Sequence, residues 1–62
     1  MSMAWVRLHY NVPAKRGGRI RFHPPGWHAL DGTILSANHY LHVRLDNGHR
    51  AWLHPTWEVT YL

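Results

Sequence analysis

Cysteine is absent from this 62-residue chain, so neither a disulfide framework nor a thiolate metal site is open to it. Acidic residues are nearly absent too: Asp31, Asp46 and Glu58 face seven lysines and arginines, which leaves a formal charge of +4. No two carboxylates lie close enough in sequence to mark an acid/base pair, although Asp46 and Glu58 remain free to meet in space. Ser2 and Ser36 have no nucleophile context. Gly17-Gly18 lacks the following helix that completes a phosphate cradle. A catalytic role is therefore not expected, nor is a cofactor. Long apolar runs are missing, which excludes a transmembrane helix. The first residues have no basic region ahead of an apolar one, so they do not read as a signal peptide. Together these absences point to a cytoplasmic protein.

What is present is a core's worth of apolar surface: 45% hydrophobic residues, with four Trp, three Tyr and one Phe. The length allows one domain, residues 1–62, whose single core is small enough that contacts with a partner, or with a second copy of the chain, add useful stability. Basic residues gather early, at Arg7, Lys15, Arg16, Arg19 and Arg21, while all three acids lie later, from Asp31 onward. Such a surplus matches an anionic partner, of which nucleic acid is the commonest. Seven scattered histidines make the surface charge responsive to mild acid.

Alternation with period two dominates. It predicts short antiparallel strands near 4–10, 18–23, 32–37, 40–46, 49–54 and 59–62. In the first of these, Val6, Leu8 and Tyr10 form one face and Trp5, Arg7 and His9 the other. Pro13 and Pro24-Pro25-Gly26 interrupt pairing, and residues 23–30 form a loop carrying Trp27. Asp31-Gly32 reads as a turn, and residues 54–58 as a single 3₁₀ turn. Asn47-Gly48 marks a hairpin. A two-residue loop pairs Val43 with Trp52. A three-residue loop with a bulge pairs Val43 with Ala51 and sets Arg44 opposite Arg50; the two-residue loop is slightly preferred because it avoids that like-charge pair. Ile20, Phe22, Ile34, Leu41, Val43, Val59 and Tyr61 are the expected core. The pattern is all-β, five or six short strands in a small barrel or sandwich.

The run Gly32-Thr33-Ile34, the hairpin around Asp46-Asn47-Gly48, then Trp52-Leu53-His54-Pro55 and the closing Val59-Thr60-Tyr61-Leu62 resemble a small SH3-like barrel. With the stretches 12–22 and 53–62, the likeness is to small phage and prophage proteins of this type and covers about 50 of the 62 residues. It implies a fold and a phage or prophage origin, and brings no established activity or catalytic residues. KOW-type ribosomal and transcription modules, which bind RNA or protein, are similar barrels. So are the plasmid-type dihydrofolate reductases, whose Val-Gln-Ile-Tyr stretch this sequence lacks.

Two binding readings follow. In the first, Arg7, Lys15, Arg16, Arg19 and Arg21 form a stripe that contacts phosphates of DNA or RNA, and Trp27 offers a stacking platform for an unpaired base. In the second, Tyr40, Trp52, Trp57 and Tyr61 line an aromatic groove that takes a protein partner of the host or phage. The 23–30 loop carries no acid, which argues against a basic proline-rich ligand. A metal site is a third option: His39 and His42 are three residues apart and converge only if His39 sits in a turn. Histidines on a solvated strand face account for the same pattern without metal, so no metal is expected.

Overall fold

The computed structural model describes residues 2–62. It contains one helix, α1 (Met3–Tyr10), followed by β1 (Arg19–Phe22), β2 (Leu30–Ala37), β3 (Leu41–Leu45), β4 (Arg50–Leu53) and β5 (Val59–Tyr61). The strands form one antiparallel sheet in the order β4-β3-β2-β1-β5, and the sheet is not closed. Five of the six expected strands are present, each within two residues of its expected ends. Among the described residues, no helix is long and apolar enough to cross a membrane.

The expected first strand, 4–10, is instead the helix. Eight residues are too few to separate the two periods by eye: Val6, Leu8 and Tyr10 fit a strand face, but Met3, Val6 and Tyr10 fit a helical stripe equally well. The ends decide it. Ser2 Oγ accepts the Trp5 N–H at 3.2 Å, capping the N-terminus. Asn11 takes the left-handed conformation at φ 53°, and the Val12 N–H closes onto the Arg7 carbonyl at 3.2 Å. Pro13 follows and cannot continue the helix. Val6 is fully buried, whereas Leu8, assigned inward by the strand reading, is 82% exposed.

A second correction concerns Asp31-Gly32, which lies inside β2 rather than in a turn. Gly32 pairs with both Ile20 and Leu45, and a Cβ there would lie 2.6 Å from Val43 Cγ1 and 2.9 Å from the Arg44 carbonyl. Glycine is required because two strands approach closely at this point.

The β3–β4 hairpin takes the three-residue loop, not the slightly preferred two-residue one. Leu41 pairs with Leu53, Val43 with Ala51 and Arg44 with Arg50. Gly48 alone in the loop has positive φ, at 92°. Opposed like charges at an exposed pair cost on the order of several tenths of a kcal/mol. The two-residue loop would turn Arg50 and His54 inward opposite Leu45 and Leu41, so placing Ala51 and Leu53 inside and those two polar side chains outside sets the register.

The core consists of Val6, Ala14, Ile20, Ile34, Leu41, Val43, Leu45 and Leu53. Phe22, Val59 and Tyr61, expected there, are only half-buried and pack at its margin. All three lie where β1 meets the edge strand β5.

Candidate functional site

Since the core side of the sheet takes Ile20, Ile34, Val43 and Leu53, the alternate residues of the same strands lie on its outer side. The registers align them in rows. Arg19, Thr33, Arg44 and Arg50 form one row across β1, β2, β3 and β4; Ser36, His42 and Trp52 form the next across β2, β3 and β4.

The β1 end of the first row is neutralised. Arg19 donates two hydrogen bonds to the Asp46 carboxylate, at 2.8 and 2.5 Å, and a third to Thr33 Oγ1 at 2.9 Å. Arg21 grips Asp31 in the same two-pronged way, at 2.7 and 3.1 Å. The hydrogen bonds hold both carboxyls below the usual carboxylate range and both guanidiniums above theirs. Two of the three acids are thus committed to the two arginines that the sequence placed at the centre of a phosphate-binding stripe. Arg7 donates to the Ala14 carbonyl and ties the helix to the following loop. Lys15 and Arg16 stay exposed in that loop. Trp27 is 66% exposed with its ring tilted against His28, 5.1 Å between centroids.

The β3–β4 end differs. Arg44 and Arg50 are exposed and make no ion pair among the described residues. Beside them His42 and Trp52 stack, centroids 4.4 Å apart and planes 14° off parallel. Trp52 also walls a groove of about 570 Å³ together with Tyr40, His54, Thr56 and Trp57. A turn closed by the Trp57 N–H on the His54 carbonyl carries Thr56 and Trp57 up to it. All three large aromatics of this groove are about half exposed. No carboxylate lines it.

The structure therefore brings Tyr40, Trp52 and Trp57 together, as the aromatic-groove reading grouped them, and places Tyr61 elsewhere. Tyr61 donates its hydroxyl to the Pro55 carbonyl at 2.7 Å and lines a separate hollow with Lys15 and Arg19. Its partial burial pushes the phenol up to about 12. Arg44 and Arg50 were missed because neither belongs to the early basic cluster. The signal that would have found them is the three-residue register, which sets them side by side. His39 and His42 are not paired: His39 meets Trp5 edge-on, and His42 lies on Trp52. No group of three or more metal-ligating side chains occurs among the described residues. Asp46 is held by Arg19, while Glu58 sits at φ 58° in the turn before β5.

Compared with known proteins, the chain matches no family model, no curated protein and no solved structure.

Proposed function

We propose that this chain is a non-enzymatic module that binds single-stranded nucleic acid, built on an SH3-like barrel. What supports the barrel is the path of the chain: Gly32-Thr33-Ile34 leads to the β3–β4 hairpin, a hydrogen-bonded turn follows, and β5 returns to pair with β1. The observation that carries the binding reading is the adjacency of Arg44 and Arg50, which make no bonded ion pair among the described residues, to an exposed aromatic groove whose described lining has no carboxylate. Phosphates meet the two guanidiniums, and unpaired bases stack on Trp52, Trp57 and Tyr40. Such stacking is worth about 1–3 kcal/mol per base and tolerates any sequence, because every base has a π-face. A duplex keeps its bases stacked on one another and offers the groove none. Lys15 and Arg16 add a secondary electrostatic contribution and the exposed Trp27 a separate stacking face, while Arg19 and Arg21 are held by acids.

The same groove suits an acidic protein partner, and Tyr40, Trp52 and Trp57 lining one hollow is what favours that second reading. Gel-shift titrations with single and double strands of DNA and RNA, each at two salt concentrations, separate the two. The expected result is a shift on single strands at low salt that weakens steeply as counterions compete. Trp52→Ala should weaken it by about 1–3 kcal/mol. Absence of any shift at low salt with micromolar protein refutes the nucleic-acid reading and leaves the protein partner.

A further inference from the structure

A second hollow adjoins the groove. It measures about 350 Å³ and is lined by Tyr10, Asn38, His39, Tyr40 and His54. Tyr40 and His54 line both hollows, so the two lie side by side along one surface track. Tyr10, at the end of α1, meets the His54 ring nearly edge-on with centroids 5.1 Å apart, and Tyr40 meets the same ring at 6.1 Å. His39 belongs to this second hollow and is braced by Trp5 of α1 at 5.7 Å.

Two polar groups along the track present donors. Asn38 commits its Oδ1 to the Tyr40 N–H at 2.9 Å, which leaves its amide NH₂ to donate. His54 Nδ1 accepts the Thr56 N–H at 3.1 Å, which in the neutral ring puts the proton on Nε2. Neither hollow contains a carboxylate. The π-faces suit flat groups and the N–H donors suit acceptors on their edges, while the net charge of +4 and the neighbouring Arg44 and Arg50 suit an anionic backbone. A cation drawn to the π-faces would meet no counter-charge in either hollow and would lie beside Arg44 and Arg50.

We propose that the second hollow is a further base subsite for the same strand. A base next to the one held between Trp52 and Trp57 lies against Tyr10 and His39, with its carbonyl or ring-nitrogen acceptors meeting the Asn38 amide and His54 Nε2–H. The helix thereby acquires a recognition role beyond covering the core. The inference rests on the single-strand reading above.

The test is fluorescence anisotropy with labelled oligothymidylates of increasing length, roughly two to ten nucleotides, at low salt. For the native chain, affinity climbs past the length that fills the first groove. Tyr10→Leu, which keeps an apolar side chain at the core margin, lowers long-strand affinity by roughly 5- to 150-fold and flattens the length curve early, while the shortest strands bind as before. His39→Ala, at an exposed position, gives a smaller loss of the same kind and guards against a folding failure in the first variant. Unchanged long-strand affinity in both variants, alongside a large loss in Trp52→Ala, overturns the second subsite and leaves the single groove standing. No binding of any strand by the native chain overturns both.

Discussion

The two pairs of outer-side arginines are alike in sequence terms and opposite in circumstance. Arg19 and Arg21 alternate on β1, each with its own aspartate. Arg44 and Arg50 face each other across the β3–β4 hairpin with no acid bonded to either among the described residues. A count of basic residues treats them equally. A polyanion does not, because a guanidinium already gripping a carboxylate must release that partner or share it before it neutralises a phosphate. The aspartates come from 27 and 10 residues away in the chain, so the neutralisation is a property of the fold and not of local composition.

The largest expected effect comes from removing the free pair. Arg44→Ala with Arg50→Ala should lower the slope of log affinity against log salt by about two units, one for each phosphate no longer neutralised. Arg19→Ala with Arg21→Ala should leave that slope nearly unchanged, and equal slopes for the two double variants would break the comparison. Next comes the turn that sets Arg44 against Arg50. Gly48→Val forces a β-branched residue to φ 92° and should cost about 1–3 kcal/mol in urea denaturation. A cost near zero would show that the hairpin does not depend on that glycine.

Smaller effects are expected at the extremes of pH. The Tyr61 phenol titrates at about 12 when folded against 10.0 ordinarily, so its contribution is complete below pH 10 and is lost as pH rises from there towards 12. Tyr61→Phe should remove that alkaline fall in melting temperature, at the cost of the bond to Pro55. The aspartates behave in the opposite sense. Their folded values lie below the ordinary 3.8, so the contribution is complete above that value and fades as pH falls through the folded ones. Both pairs are exposed, so Asp31→Asn with Asp46→Asn should change melting only slightly, and only near neutrality relative to pH 3. A large loss at pH 7 would mean that the β1 pairs are structural anchors.

Alternation made the five strands legible, because half-buried strands such as β3 sort their residues strictly: Leu41, Val43 and Leu45 inward, His42 and Arg44 outward. The helix was illegible to the same rule, and only the caps at Ser2 and Asn11 discriminate. The hairpin register is decided by a competition: a weak repulsion between Arg44 and Arg50 opposes the burial of Leu53, and the burial is the larger effect. From sequence, Tyr40, Trp52, Trp57 and Tyr61 form one aromatic set for a groove. Tyr61 was not separable from them until its strand's place beside β1 was known.

Strand β2 carries a bulge between Ile34 and Ser36, and this sets how the chain tolerates changes in length. Ile34 pairs with Val43 and Ser36 with His42, so Leu35 is one residue more than the ladder needs. Inside and outside along a strand behave like a reading frame of two, and Leu35 is a built-in slip in that frame. Excising it leaves a regular ladder in which Ser36 and Ala37 keep their partners. Excising Thr33 instead throws every residue on one side of the gap onto the wrong face, which ejects Ile34 from the core or turns Asp31 into it. Deletion of Leu35 should therefore cost less in urea denaturation than deletion of Thr33.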